Sequence, residues 1–205
     1  MVAKGVRRLK KPVSKKPAKV VEPLKLNLGC GQNQREGYKG VDIVKGPGVD
    51  YVFDLTKAHW PFASGSVKAT YASHFLEHLD GAERIKFMEE LYRILEMGGE
   101  AEFIVPYWSS MRSIQDPTHK WPPLAESSFL YFSQSWCRLN GVTHYGAGAG
   151  KYNFDFVYGY AMPPIWSSKN EETRTFAAAH YVGAIDDLMM KMTKIALLPP
   201  IPAKK

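Results

Sequence analysis

Short apolar runs recur along the first half of the chain, and glycine, proline or polar residues bound each of them. Runs of this length are typical of buried β-strands. They predict five strands, over residues 24–28, 41–44, 49–55, 67–72 and 100–105.

Two longer segments have the spacing of an amphipathic helix. Residues 75–95 place apolar side chains on one helical face, and Gly98-Gly99 is a typical helix end. Residues 171–197 carry a similar stripe and predict a long C-terminal helix, after a sixth strand over 152–160. Strands that alternate with helices or short connections predict an α/β fold with a parallel sheet.

The pattern divides the chain into an arm and one folded domain. Residues 1–22 mix Lys, Arg, Val, Ala and Pro without apolar periodicity, which predicts a disordered arm. Residues 23–205 are long enough for one domain with a buried core. Within it, residues 106–149 have little periodicity and are predicted to be a lid or insertion.

The net charge of +7 belongs to the arm. Residues 1–20 contain eight Lys or Arg residues and no acid, so the other 185 residues carry a net charge of −1. A contact of residues 4–19 with nucleic acid or another polyanion fits this pattern, and so does a solvated tail.

Cysteine use and hydropathy indicate the compartment. The two cysteines are Cys30, in a glycine turn, and Cys137, which argues against a disulfide framework and predicts a reducing, cytoplasmic location. No apolar run approaches the roughly 20 residues of a membrane span. The basic N-terminus lacks the apolar centre of a secretory signal.

The first strand runs directly into the turn Gly29-Cys30-Gly31, and the second strand carries Asp42. Glycines allow the backbone to approach a ligand closely, and a carboxylate can accept hydrogen bonds from ribose hydroxyls. This arrangement predicts a nucleoside site, with a turn that binds nothing as one alternative. A dinucleotide site is the other, but residue 34 is Gln where the pyrophosphate fingerprint needs glycine.

The motifs Leu-Asn-Leu-Gly-Cys-Gly (26–31) and Gly-Tyr-Lys-Gly-Val-Asp-Ile (37–43) resemble those of the class I S-adenosylmethionine-dependent methyltransferases. The likeness continues through Asp54-Leu55, residues 72–79 and residues 91–99. It implies a Rossmann-like sheet of seven strands, mostly parallel with one antiparallel strand and helices on both faces. It also implies a methyltransferase with S-adenosylmethionine as cofactor.

The resemblance further implies the cofactor contacts. The glycine turn would hold the methionine end, and Asn27, where the family often has an acid, would bind its amino group directly or through water. Asp42 would bind the ribose, Ile43 would pack on the adenine, and Asp54 would bind the adenine amino group. The implied cofactor-binding residues are Asn27, Leu28, Gly29, Cys30, Gly31, Asp42, Ile43, Asp54, Leu55 and Ser73.

Methyl transfer is an in-line displacement that needs an aligned nucleophile and, for some acceptors, a base. His74 and His78 follow the fourth strand, and Asp116 and His119 form an Asp-Pro-Thr-His motif after the fifth. These four are the predicted catalytic residues, and family members carry a comparable Asp-Pro-x-His in that place. Helix packing for His78 and a surface position for His119 are the alternatives.

Residues 74–78 also match His-x-x-Glu-His, a zinc-protease pattern that needs both histidines on one helix face. A strand is predicted to end directly before His74, so we disfavour zinc proteolysis and predict no metal ligands.

The methyl acceptor is only partly constrained. The fourth strand ends in Tyr71-Ala72-Ser73-His74, without the Asn/Asp-Pro-Pro-aromatic motif of enzymes that methylate DNA base amines. Cys137 follows Trp136 and lacks the Pro-Cys pair of cytosine-C5 enzymes. The sequence therefore predicts an oxygen or nitrogen acceptor of open identity. The alternative is an inactive interaction protein with a nucleic-acid-binding arm.

Overall fold

A computed structural model describes residues 23–143 and 149–200. The predicted basic arm, with its polyanion contact, and residues 144–148 lie outside the described residues.

Seven strands form one sheet in the described part of the chain, in the order β3-β2-β1-β4-β5-β7-β6. Only β7 runs antiparallel to its neighbours, which confirms the predicted sheet of seven strands with one antiparallel member. The strands are β1 (Leu24–Leu28), β2 (Lys39–Asp42), β3 (Val49–Val52), β4 (Val67–Ser73), β5 (Leu95–Pro106), β6 (Phe154–Ala161) and β7 (Asp187–Lys194).

Five α-helices connect the later strands in the described residues. The predicted helix over 75–95 is split into a 3₁₀ turn, Leu76–His78, and α1, because Asp80 caps the start of α1 with a capping box. The α-helices are α1 (Gly81–Ile94), α2 (Glu126–Leu130), α3 (Gln134–Leu139), α4 (Pro164–Ser167) and α5 (Glu171–His180).

The long C-terminal helix predicted over residues 171–197 is wrong. Helix α5 ends at His180, and Gly183 follows with φ +77°. Residues 187–194 then form β7, which pairs with β5 and β6. Leu188, Met190 and Met192 are buried at every second position, the period of a strand. Pairing on both edges of β7 outweighs the helical preference of its leucine and methionines.

The core lies between the sheet and the helices. Phe103 of β5 contacts Phe87 of α1 and Phe129 of α2 through ring pairs at 6.3 and 5.8 Å. Phe129 and Cys137 are buried, so part of the segment predicted as a lid or insertion contributes to the core. A lid function of residues 106–149 stays a prediction.

A loop packs on the opposite face of the sheet. Residues 29–38 form turns and irregular loop. Arg35 of this loop reaches Glu102 and Tyr71, which point to that face from β5 and β4. Arg35 therefore connects this loop to the sheet. No helix among the described residues is long and apolar enough to cross a membrane.

We predict that Gly40→Ala destabilises the fold. An added Cβ would lie 2.0 Å from the carbonyl oxygen of Gly48 and 3.0 Å from Cys30 Sγ. Because the nearest atom is backbone, relief requires separation of β2 from the 46–48 turn. We expect a loss of about 1–3 kcal/mol in the free energy of unfolding, measured by urea denaturation.

Gly46→Ala is the matched control, since its Cβ would meet nothing nearer than Val49 Cγ2 at 4.0 Å. Its stability should stay within about 1 kcal/mol of the wild type. Equal stability of the two variants would contradict the close packing at Gly40.

Candidate cofactor site and active site

The first, second and fourth strands end at the same edge of the sheet. Asn27 of β1 pairs with Gly40 of β2 and with Tyr71 of β4 in parallel register. The residues that follow these strands therefore meet at one edge, where α/β proteins bind their ligands.

The glycine turn has the backbone conformation that only glycine adopts easily. Gly29 has φ +62° and Gly31 has φ +50°. A Cβ on Gly29 would lie 2.3 Å from Cδ2 of Phe75, so the ring packs directly on the backbone. A Cβ on Gly31 would meet no atom within 4 Å, so this part of the turn faces open space.

Asp42 connects the second strand to the glycine turn. The N–H of Gly31 donates to Asp42 Oδ2 at 2.7 Å, and the N–H of Val44 donates to Oδ1 at 3.1 Å. Each carboxylate oxygen keeps a further acceptor position. Ile43, next in the chain, is 62% exposed, so an apolar surface lies beside the carboxylate.

Asn27 is buried at the floor of a cavity of about 250 Å³. Its Nδ2 donates to the carbonyl oxygen of Asn33 at 2.7 Å, which orients the amide and leaves Oδ1 as an acceptor. The cavity is lined by Asn27, Gly29, Cys30, Asn33, Gln34, Arg35, Tyr71 and Ser73.

Leu28 and Cys30 support the turn from inside the protein. Leu28 is fully buried, and the N–H of Cys30 donates to the carbonyl oxygen of Val41 at 3.0 Å. Burial raises the pKa of the Cys30 thiol, which keeps it protonated and a poor nucleophile.

Asp54 is held by its own loop. Oδ1 accepts hydrogen bonds from the N–H and the hydroxyl of Thr56, at 2.8 and 2.7 Å. The hydroxyl bond and then the N–H bond lower the pKa of Asp54. The neighbouring Leu55 is buried in the core, so its side chain anchors this loop and offers no open surface.

His74 follows β4 and has a strained backbone, with φ +53°. Its Nδ1 lies 3.3 Å from Glu77 Oε1. The hydrogen bond to Glu77 raises the pKa of the His74 imidazole, against the opposing effect of burial. His74 also donates its backbone N–H to Ile104, which fixes the end of β4 beside β5.

The other three predicted catalytic residues form one cluster. Thr118 Oγ1 lies 2.7 Å from Asp116 Oδ1 and 3.0 Å from His78 Nδ1. The rings of His78 and His119 meet edge to face, with 4.9 Å between centroids. The structure thus brings Asp116, His78 and His119 together, and His74 joins them through Glu77.

The His-x-x-Glu-His pattern does not form the helix face that a zinc protease needs. His74 lies outside the 3₁₀ turn that contains His78, in a left-handed conformation. The two histidines are therefore not one α-helical turn apart.

A second cavity, of about 750 Å³, opens after β5. Tyr107 and Trp108, which follow β5, line one side, and Tyr160 and Arg174 line others. Glu126 also lines it, and Glu126 Oε2 is buried without a hydrogen-bond partner among the described residues. Burial, and then the Glu126 charge, raise the pKa of Tyr160.

Sequence reasoning missed Arg35, Tyr71, Phe75 and Glu126. Arg35 Nη2 pairs with Glu102 at 2.8 Å, and its guanidinium lies 3.9 Å from the ring centroid of Tyr71. Phe75 lies within the methyltransferase-like motif at residues 72–79. Its contact with Gly29 joins distant parts of the chain, so no periodic pattern in the sequence predicts it.

Comparison with known proteins agrees with this geometry. Residues 32–103 match the family model described as a methyltransferase domain. The matched segment is about a third of the chain, and it makes this part of the sheet similar to a methyltransferase domain. A comparison with curated proteins found no match.

Solved structures share the fold at low sequence identity. An S-adenosylmethionine-dependent methyltransferase from Archaeoglobus fulgidus is 18% identical, with a TM-score of 0.55 over 83% of this chain and 85% of that one. A chain from the complex of the Haloferax volcanii Trm112 methyltransferase activator with a methyltransferase is 13% identical, with a TM-score of 0.53 over 87% and 84%. Geranyl diphosphate C-methyltransferase from Streptomyces coelicolor is 15% identical, with a TM-score of 0.51 over 85% and 72%.

We predict that Arg35→Lys loosens the loop over residues 29–38. Lysine keeps the charge toward Glu102 but loses the flat stack on Tyr71. The expected loss is about 0.5–1 kcal/mol, the usual size of an exposed cation–π contact. Faster amide hydrogen exchange of the loop would report it.

Lys151→Arg is the control, since Lys151 pairs with Glu89 away from this loop. Unchanged exchange in Arg35→Lys would contradict the role of the stack.

Proposed function

We propose that this chain transfers a methyl group from S-adenosylmethionine to an oxygen or nitrogen of an acceptor that enters the cavity beside Tyr107. The observation that supports this most strongly is the position of the two cavities. Ser73 of the smaller cavity ends β4, and Tyr107 of the larger one follows β5. Ser73 pairs with Ile104 on the adjacent strand, so both cavities open at one edge of the sheet.

The smaller cavity and the surface beside it, which carries Gly31, Asp42 and Ile43, fit the cofactor. Gly31 faces open space, Asn27 Oδ1 can accept from an ammonium group, and Asp42 has acceptor positions for ribose hydroxyls. Ile43 supplies an exposed apolar surface for a base. When bound there, the sulfonium of S-adenosylmethionine supplies the methyl group. The Streptomyces coelicolor enzyme of the same fold was solved with S-adenosylhomocysteine.

His74 is our candidate for the proton acceptor. It lies at the end of β4, between the cofactor residues and β5, and Glu77 holds its ring. With Nδ1 turned to Glu77, its Nε2 can take a proton from a hydroxyl or amine, and Glu77 stabilises the resulting charge. In this proposal, Ser73 contacts the cofactor and His74 removes the proton.

The side chains that line the larger cavity determine which acceptors can bind there. The unpaired Glu126 Oε2 can accept a hydrogen bond, which favours an acceptor that carries an O–H, N–H or ammonium group. The aromatic side chains of Tyr107, Trp108 and Tyr160 suit a flat or cationic group. The volume is that of a site for a small ligand or for one side chain of a larger one.

We predict that Asp42→Ala weakens S-adenosylmethionine binding about tenfold to a hundredfold, because it removes charged hydrogen bonds to the ribose. It also frees the Gly31 N–H that orders the turn. Isothermal titration calorimetry measures the dissociation constant. Asp155→Ala, an exposed change on β6, should leave the affinity unchanged.

Binding that survives Asp42→Ala would refute this placement of the ribose. Wild-type protein that binds no S-adenosylmethionine at millimolar ligand would refute the enzyme proposal itself and favour an inactive interaction protein.

We predict that Glu126→Gln lowers methyl transfer about tenfold to a hundredfold through loss of a charged hydrogen bond to the acceptor. Transfer of label from methyl-labelled S-adenosylmethionine to components of a cell extract measures it. Affinity for the cofactor should not change. Glu96→Gln, an exposed change at the start of β5, is the control. Full transfer by Glu126→Gln would place the acceptor elsewhere.

A further inference from the structure

We propose that Glu77, His78 and His119 form a binding site for a divalent transition-metal ion of the Zn²⁺ type. The site goes beyond methyl transfer and does not depend on the cofactor residues. It also departs from our prediction of no metal ligands.

The three side chains are close enough to share an ion. One ligand atom from each lies within 4.8 Å of those of the other two. Zinc bonds to nitrogen and oxygen of about 2 Å span ligand atoms up to about 4 Å apart. Small side-chain rotations would close the site around an ion.

Hydrogen bonding fixes the tautomer of His119. Its Nδ1 lies 3.1 Å from the carbonyl oxygen of Ser113. A carbonyl can only accept, so Nδ1 carries the proton and Nε2 keeps its lone pair. A carbonyl partner on the second ring nitrogen is the usual support of a histidine that binds metal.

The same logic fixes His78 through a longer chain of bonds. Thr118 Oγ1 lies 2.7 Å from Asp116 Oδ1, and a carboxylate can only accept. The single hydroxyl proton therefore goes to Asp116, and Thr118 accepts from His78 Nδ1 at 3.0 Å. His78 Nε2 is then the nitrogen with the free lone pair. This gives the Asp-Pro-Thr-His motif a physical role.

Glu77 supplies the negative charge. Its side chain is 7% exposed, and Oε2 has no hydrogen-bond partner among the described residues. A buried carboxylate oxygen without a hydrogen bond is costly, so Oε2 would gain from a bound cation. His74 approaches Oε1, which leaves Oε2 for an ion. Nearby Arg84 directs its N–H groups to the carbonyls of Leu76 and Pro122.

The scaffold holds the ligands in place before an ion binds. Arg84 joins the 3₁₀ turn that carries Glu77 to the segment after His119, through bonds of 3.0 Å to Leu76 and 2.7 Å to Pro122. The N–H of Lys120 also donates to the carbonyl oxygen of Glu77 at 2.8 Å.

The ligand set indicates which ions fit. Two imidazoles and one carboxylate suit zinc and its neighbours in the transition series, whereas Mg²⁺ prefers oxygen ligands alone. Three protein ligands leave a coordination position for water or for an oxygen of a bound ligand, as in catalytic zinc sites.

The test uses the full chain, stripped with chelator and kept free of S-adenosylmethionine. Titration with Co²⁺ should develop visible absorption bands of a four- or five-coordinate ion, and calorimetry with Zn²⁺ should give one site per chain. Mg²⁺ should not compete. Because no cofactor is present, failure here leaves the methyl-transfer proposal untouched, and success does not support it.

Three variants connect the signal to the residues. Glu77→Gln and His119→Gln should each weaken Zn²⁺ binding more than about 100-fold, and Thr118→Val about tenfold through loss of the His78 support. The control is His180→Gln, a surface histidine of α5, which should bind like the wild type. Circular dichroism confirms that each variant is folded.

Wild-type protein that binds neither Zn²⁺ nor Co²⁺ at millimolar concentration would overturn the proposal. So would Co²⁺ bands that persist unchanged in Glu77→Gln and His119→Gln.

Discussion

The hydrogen bond from the Gly31 N–H to Asp42 Oδ2, 2.7 Å long, is the contact on which the candidate cofactor site depends. It joins the turn after β1 to the end of β2, so the open face of Gly31 and the free acceptor positions of Asp42 lie side by side. Around this bond, Gly40 lets β2 approach the 46–48 turn, and Gly29 and Gly31 adopt the positive φ of the turn. Backbone geometry and the Asp42 carboxylate thus build this part of the site together.

A helix-free loop covers the same end of the sheet. Residues 29–38 are too short for a crossover helix, and Arg35 holds them by its stack on Tyr71 and its ion pair with Glu102. A stacked guanidinium replaces the apolar contacts that a packed helix would make. On the other face, α1 and α2 bury Phe87 and Phe129 against Phe103, and this core keeps the strand ends in register.

Local signals predicted much of this arrangement from sequence. The strand over 24–28, the turn at Gly29 and the position of Asp42 follow from short apolar runs and glycines, which act within a few residues. β7 could not be predicted this way, because its leucine and methionines favour a helix in isolation and only pairing with β5 and β6 makes it a strand. The contact of Phe75 with Gly29 and that of Thr118 with His78 join segments far apart in sequence. Such contacts produce no periodic pattern in the sequence, so they could not be predicted from it.

The central claim is that the methyl donor binds at this edge of the sheet, with its amino-acid end in the cavity between Asn27 and Ser73 and its nucleoside beside Asp42 and Ile43. A crystal structure of the protein with S-adenosylhomocysteine tests it most directly. Our account predicts the ribose hydroxyls on the Asp42 carboxylate, the base against Ile43 and the amino-acid end over Gly29–Gly31. A nucleoside bound at another place, or hydroxyls without contact to Asp42, would contradict it.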